Sequence, residues 1–158
     1  MVNEKEVMQY FSSYAAQRMN ELNLRPWYVA YYSETSEPTF RNYMKGIRLP
    51  RPSTLIMTSE LFGCTVNELL GYKRVSVPRR IRAFDSGLDT RNLSEHFYSE
   101  VSRRMVRKRI TLDELAIYTC TAVLTLDNNF RRNSLPDTSM ILAICDALEC
   151  TPSDLLGY

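Results

Sequence analysis

A long internal repeat constrains this chain more than any other feature of its sequence. Residues 9–72 align without a gap on residues 95–158, at a constant offset of 86, and both segments end in Leu-Leu-Gly-Tyr. We name these segments the first repeat and the second repeat. A repeat this long, in only two copies, is not the pattern of a solenoid array, so it predicts two copies of one small domain. Other identical pairs include Phe11 and Phe97, Arg18 and Arg104, Ala30 and Ala116, Asn42 and Asn128, and Cys64 and Cys150.

The repeat divides the 158 residues into two predicted domains, 1–72 and 94–158, joined by a connector, 73–93. Each domain has about 65 residues, which is near the lower size limit for independent folding. No apolar run approaches the roughly 18–20 residues of a membrane-spanning helix, and the first residues lack the apolar region of a signal peptide. We therefore expect a cytoplasmic protein that has no membrane partner.

The net charge of +2 is unevenly distributed along the chain. The connector carries six basic and two acidic side chains, whereas residues 1–72 are neutral overall and residues 94–158 have a net charge of −2. Two interpretations of the basic connector remain open at this point. Its charges are either those of a solvated linker or contacts to the phosphates of a nucleic acid.

Each repeat predicts five short helices, so the expected fold class is all-α, with two tandem five-helix domains. Helix one of the first repeat is amphipathic, with Phe11, Ala15, Met19 and Leu22 expected on its buried face. Pro26 suits the first turn of helix two, because its missing N–H would have no partner there in any case.

Start and stop signals mark the later helices. Helix three is expected from about residue 36 to residue 45, followed by Gly46 as its stop signal, and over the equivalent stretch of the second repeat. A threonine followed three residues later by an acidic residue forms a capping box. This pattern opens helix two of the second repeat at Thr111, and the last helix of each repeat at Thr65 and Thr151.

Two ordered sets of segments carry a resemblance to a known family. In the first repeat they are Val29-Ala30, Thr39 through Gly46, Pro50, and Phe62 through Leu70; in the second they are Leu115-Ala116, Thr125-Leu126, Pro136, and Ala147 through Leu156. With these segments in the same order twice, the chain resembles the lambda-repressor/Cro-like, or XRE-type, helix-turn-helix family.

The resemblance implies double-stranded DNA as the partner. Members of this family place helix three in the major groove and helix two across the DNA backbone, and the N–H groups at the start of helix two favour a phosphate. The residues implied to face bases are Ser36, Glu37, Pro38, Arg41, Asn42, Ala122, Val123, Leu124, Asp127 and Asn128. Those expected to contact phosphates are Lys45, Arg48, Arg51, Arg131 and Arg132, together with Arg79, Arg80 and Arg82 of the connector.

The repeats differ at the base-facing positions. Arginine can donate two hydrogen bonds to guanine and asparagine can pair with adenine, whereas Ala122, Val123 and Leu124 can only touch thymine methyl groups. Glu37 would repel phosphate, although it could accept a hydrogen bond from cytosine. The first repeat is therefore expected to read DNA better than the second. In the alternative, helix three of the second repeat packs against protein.

Three aromatic residues of helix two, Trp27, Tyr28 and Tyr31, occupy positions where this family usually shows charged residues to water. We name them the aromatic patch. Either one or two of these rings fold back against helix one or the connector, or the patch forms a surface for a homodimer or a protein partner, because a large exposed apolar cluster often marks a contact.

No catalytic or metal-binding constellation is visible in the sequence. The four cysteines include no Cys-x-x-Cys pair and His96 is the only histidine, so no zinc site and no other cofactor is expected. No arrangement of nucleophile, base and oxyanion donors is present either, so the chain is not expected to be an enzyme.

The leading hypothesis is a repressor-like, sequence-specific transcriptional regulator of bacterial, phage or mobile-element origin, with two helix-turn-helix domains in one chain. The alternative is a protein-interaction module on the same fold, such as an inhibitor, antitoxin or antirepressor, that has lost DNA reading in one or both repeats.

Overall fold

The computed structural model describes residues 3–73 and 90–158. Within these residues the fold is all-α, as predicted, with ten helices and no strand. The helices are α1 Glu4–Glu21, α2 Pro26–Tyr32, α3 Glu37–Met44, α4 Pro52–Phe62, α5 Val66–Leu70, α6 Thr90–Lys108, α7 Leu112–Tyr118, α8 Val123–Arg132, α9 Thr138–Leu148 and α10 Pro152–Leu156.

The sequence repeat reappears in the helix boundaries. The bounds of α2, α4 and α5 differ from those of α7, α9 and α10 by 86 residues at both ends. Helix α8 starts at the position equivalent to the start of α3 but ends two residues later. Gly46 adopts the left-handed conformation after α3, with φ of 67°, while in the second repeat Asn133 does so, with φ of 52°. Asparagine tolerates this conformation better than the arginine that stands at the position equivalent to Gly46.

The buried apolar residues of the two repeats form one connected core, which the helices of both repeats enclose. Helix α1 packs on α3 and α5, and α2 packs on α3 and α4; in the second repeat α6 packs on α9 and α10, and α7 packs on α8 and α9. Phe40 from α3 and Leu126 from α8, at equivalent positions, are both buried. The expectation that Leu22 is buried was wrong, because α1 ends at Glu21 and Leu22 is 41% exposed.

The start of α5 contacts the start of α10, which brings the two repeats together. The backbone N–H of Asn67 donates to Oγ of Ser153 at 3.0 Å, and the backbone N–H of Ser153 donates to Oδ1 of Asn67 at 3.0 Å. The side-chain amide of Asn67 also donates to Oγ1 of Thr151 at 3.0 Å. Asn67 and Ser153 are equivalent positions of the repeat, so the contact is reciprocal in the manner of a two-fold dimer interface.

This contact supplies hydrogen-bond acceptors to buried backbone N–H groups at the starts of α5 and α10. The first N–H groups of a helix have no partner within the helix, and those of Asn67 and Ser153 are buried. Each helix supplies the acceptor that the other one needs. The buried groups are therefore satisfied only when the two repeats lie against each other in this register.

Candidate nucleic-acid interface

Helix α3 presents an exposed polar face that contains the base-facing residues expected in the first repeat. Ser36 is the N-cap, and its Oγ accepts a hydrogen bond from the backbone N–H of Thr39 at 3.2 Å. Pro38 and Arg41 are exposed, and Asn42 is half-buried. Ser36 thus stabilises the start of the helix, and Arg41 and Asn42 are the two side chains of this face that can donate to base edges.

Arg41 is held by an acidic neighbour one turn earlier. Its Nε and Nη2 donate to Oε1 of Glu37 at 3.1 and 2.6 Å. Both side chains are about half exposed, so water screens the pair and its contribution to stability is small. The pair neutralises the negative charge of Glu37, and a base or phosphate that takes hydrogen bonds from both Nε and Nη2 must displace Glu37, whereas Nη1 stays available.

The equivalent face of α8 is largely apolar at its start. Ala122 is the N-cap and makes no side-chain capping bond, while Val123 and Leu124 are exposed, Leu124 by 70%. The polar part of the face has Asp127 paired with Arg131, whose Nε lies 2.9 Å from Oδ2. Asn128 is the one exposed amide that the predicted site residues supply on this helix.

The cations predicted to contact phosphates are also distributed unequally. Lys45, Arg48 and Arg51 are exposed, and they form no ion pair with the residues that the structure describes. In the second repeat Arg131 is already paired, and Arg132 is exposed. Arg79, Arg80 and Arg82 lie outside the described residues.

An open cleft of about 820 Å³ between the repeats brings together two of these cations, Arg51 and Arg132. It is bordered by the loops that precede α4 and α9, and Glu95 and Asp137 also line it. A hydrogen bond from the Thr138 hydroxyl to the Pro50 carbonyl joins these loops. Phosphate-contact candidates from both repeats therefore lie on one surface.

The starts of α2 and α7 differ in a way that bears on anion binding. At α7, Oε2 of Glu114 accepts from the Thr111 N–H at 2.7 Å, and Thr111 Oγ1 accepts from the Glu114 N–H at 3.2 Å, which confirms the predicted capping box. At α2 the N-cap is Arg25, which makes no capping bond, and Pro26 follows. The carboxylate at α7 occupies the place that a phosphate would take, whereas α2 carries a cation there.

The aromatic patch is exposed to solvent. Trp27 is 58% exposed and Tyr31 is 79% exposed, and the Trp27 ring contacts Tyr28 edge to face at 5.8 Å between centroids. These rings are therefore not part of the buried core. Most of the connector lies outside the described residues, so both interpretations of the patch stay predictions.

Sequence reasoning missed the equivalent apolar surface of the second repeat. Ile117 and Tyr118 are exposed and lie 86 residues after Tyr31 and Tyr32. Both repeats therefore place two large apolar side chains at the end of helix two. Comparing exposed as well as buried positions across the repeat would have identified this surface from the sequence alone.

Comparison with known families identifies the second repeat. Residues 100–158 match the family model of the Cro/C1-type HTH DNA-binding domain. This stretch is a Cro/C1-type helix-turn-helix domain. It runs from within α6 to the last residue of the chain, so the helix-turn-helix domain contains α7 and α8. No curated protein and no solved structure matches the chain.

The match confirms part of the prediction made from the resemblance. A helix-turn-helix, DNA-binding class is confirmed for residues 100–158, and this family is typically non-enzymatic. A second such domain in the first repeat, and the residues that would touch DNA, stay predictions. Among the described residues no helix combines the length and the apolar character needed to cross a membrane, and no cluster of three potential metal ligands occurs.

Proposed function

We propose that this chain is a sequence-specific, repressor-like transcriptional regulator in which two helix-turn-helix domains act together on double-stranded DNA. The observation that carries the proposal is the equivalence between the matched domain and residues 14–72. Both stretches form the same sequence of helices, and three of the four later helix pairs are offset by 86 residues at both ends. Such a regulator would act in the cytoplasm, where the DNA is accessible.

The contact between α5 and α10 gives the two proposed domains a fixed relationship. Dimeric helix-turn-helix proteins bind two half-sites whose spacing follows from the geometry of the dimer. Here one chain would take the place of both subunits. Because the two repeats differ in sequence, the proposed DNA site has two different halves rather than a palindrome.

We assign most of the base reading to the first repeat. Its α3 offers Arg41 and Asn42, and three exposed cations follow between α3 and α4. The second repeat has Val123 and Leu124 at the start of α8, and Glu114 caps α7. It would contribute mainly backbone contacts and affinity.

Arg41→Ala and Asn42→Ala are expected to weaken specific binding about ten-fold or more, because a good bidentate base contact provides roughly 1–3 kcal/mol of discrimination. Asn128→Ala is the matched control, since it occupies the position equivalent to Asn42, and it should lose less. The measurement is a fluorescence anisotropy titration against a duplex selected by the protein from a random-sequence pool. Equal losses from Asn42→Ala and Asn128→Ala would show that both repeats read bases.

The same titrations over a salt series test DNA binding itself. Each phosphate contact should steepen the fall of log K with log salt by about 0.9. An absence of salt-dependent binding to any duplex, by a protein with an intact helical spectrum, would contradict the proposed function.

A specific observation favours the alternative, a protein-interaction module. Leu124 and Ile117 are exposed apolar residues on the two helices of the helix-turn-helix motif, and the aromatic patch adds a comparable surface to the first repeat. Apolar side chains of this size are typical of protein contacts. An inhibitor, antitoxin or antirepressor would use them in place of DNA contacts, and a regulator could use the aromatic patch to form a homodimer.

The double substitution Trp27→Ala/Tyr31→Ala is expected to leave the helical spectrum unchanged, because both rings are mostly exposed, and to lower the molar mass measured in solution by light scattering. Ile47→Ala removes another exposed apolar side chain outside the patch and is the control. A loss of helical signal would assign the rings a structural role. An unchanged mass, with both variants folded, would exclude self-association through the aromatic patch.

A further inference from the structure

Two cysteines lie next to each other at the end of α9, with Cys145 in its last turn and Cys150 in the segment that leads to α10. The backbone N–H of Cys150 donates to the carbonyl of Cys145 at 3.0 Å, and the N–H of Glu149 donates to the carbonyl of Asp146 at 3.3 Å. Glu149 adopts the left-handed conformation, with φ of 52°. These bonds are those of a Schellman motif, which brings the side chains at the positions of Cys145 and Cys150 into contact.

The two cysteines lie next to each other and near two cations. The adjacent Cys145 thiol, as a hydrogen-bond donor, lowers the pKa of Cys150. The positive charges of Arg104 and Lys108 on α6 also lower this pKa, while burial and Asp154 raise it. Cys150 is also the more exposed of the two thiols, and because the thiolate is the nucleophilic form of cysteine, it is the more reactive member of the pair.

The first repeat has the same turn without the second thiol. There the Cys64 N–H donates to the carbonyl of Ser59 at 2.9 Å, and these residues are equivalent to Cys150 and Cys145. The Ser59 hydroxyl donates to the Ile56 carbonyl at 2.7 Å. Burial raises the pKa of Cys64 to about 11. The chain therefore contains its own control, one turn with a pair of thiols and one with a single unreactive thiol.

We propose that Cys145 and Cys150 form a redox site that a hydroperoxide converts from a dithiol to a disulfide. The Cys150 thiolate attacks one peroxide oxygen, and the O–O bond breaks. The departing hydroxide takes up a proton, so that hydrogen peroxide yields a sulfenic acid on Cys150 and one molecule of water. The Cys145 sulfur then attacks the sulfenic sulfur. The S–S bond forms as the thiol proton and the sulfenic hydroxyl leave as a second water. Two electrons pass from the thiols to the peroxide.

The geometry of the turn suits both steps. A disulfide requires Cα atoms about 4.4–6.8 Å apart, and the backbone hydrogen bond closes the turn between these two residues. An open cleft lined by Lys108, Asp146 and Glu149 borders the turn, and Cys150 keeps a small part of its surface open to a small oxidant. Cys145 is 1% exposed and Cys150 is 8% exposed, so bulky thiol reagents are excluded from the folded site.

Treating the folded protein with hydrogen peroxide, then unfolding and alkylating it, tests the proposal. Cys120→Ser serves as the background, because Cys120 is exposed and would form bonds between molecules. Residues 133–158 contain no lysine or arginine, so one tryptic peptide carries both thiols. We expect this peptide to become two hydrogen atoms lighter and to carry no alkyl group. Full alkylation of both thiols after peroxide would overturn the proposal.

Single substitutions test the order of the two steps. In Cys145→Ser, Cys150 should stop at the sulfenic acid and be trapped by dimedone, whereas in Cys150→Ser the remaining Cys145 should stay unmodified. Cys64→Ser should form the same disulfide as the parent. Trapping at Cys145 instead of Cys150 would overturn the assignment of the nucleophile. The measurement on the parent protein stands even where a variant loses its helical spectrum.

Discussion

Phe40→Ala is expected to lower the free energy of unfolding by about 3–5 kcal/mol, the range for truncating a large buried aromatic side chain. Phe40 is fully buried, it lies on α3, which packs on α1 and α2, and it belongs to the apolar core. The substitution removes buried apolar surface and leaves a cavity that the surrounding helices can fill only in part. Urea unfolding followed by circular dichroism measures the loss.

Tyr31→Ala is the matched control, because it removes an aromatic side chain from the same repeat at a position that is 79% exposed. It should change the free energy of unfolding by about 0.5 kcal/mol or less. Leu126→Ala, at the position equivalent to Phe40, should cost about 2–5 kcal/mol. If Phe40→Ala lowered the free energy of unfolding no more than Tyr31→Ala does, Phe40 would not be buried in the core in solution.

Local sequence patterns were sufficient to predict the helices. The capping boxes at Thr65, Thr111 and Thr151 depend on residues three positions apart, and all three are present in the structure. Helix two of the first repeat begins at Pro26 as predicted. The prediction that Leu22 is buried failed because the apolar spacing continues past Glu21, where α1 ends. Spacing alone does not locate the end of a helix.

The electrostatic state of the candidate site was only partly predictable. Glu37 and Arg41 lie four residues apart on one helix, and this spacing favours an ion pair, so the pair could have been inferred from the sequence. The exposure of Leu124 could not have been inferred from the sequence, because an apolar residue at the start of a helix is equally compatible with a buried face. The Cys145–Cys150 contact depends on the left-handed conformation of Glu149, and a glutamate gives no sequence signal for it.

The contact between the repeats is the feature of the fold that could least be predicted from the sequence. Asn67 and Ser153 differ from one another, and each is a short polar residue at the second position of a helix, a residue type that is mostly exposed in proteins. Only the tertiary structure shows that they are buried and that each satisfies the other. A buried polar contact of this kind can fix the register of an interface, so the position of one repeat relative to the other depends on these residues.

Asn67→Ala is therefore expected to lower the free energy of unfolding by about 2–4 kcal/mol. It removes the acceptor for the buried Ser153 N–H and the donor to Thr151 Oγ1. Leaving the buried Ser153 N–H unpaired costs about 1–3 kcal/mol, and the lost hydrogen bond to Thr151, whose Oγ1 still accepts from the Asp154 N–H at 3.3 Å, adds about 0.5–1.5 kcal/mol. Asn128→Ala, which truncates an exposed asparagine, is the control and should change stability by about 0.5 kcal/mol or less.

A double-mutant cycle with Ser153→Ala separates this contact from a local effect on α5. Ser153→Ala removes the acceptor for the Asn67 N–H, which lies in the same network. Residues in one hydrogen-bond network show coupling energies of about 0.5–3 kcal/mol, whereas distant and independent sites are additive. We expect the double variant to lose less stability than the sum of the losses in the two single variants, because both substitutions disrupt the same contact. Strict additivity in urea unfolding, or a cost for Asn67→Ala no larger than that for Asn128→Ala, would show that the repeats are not joined through α5 and α10 in solution.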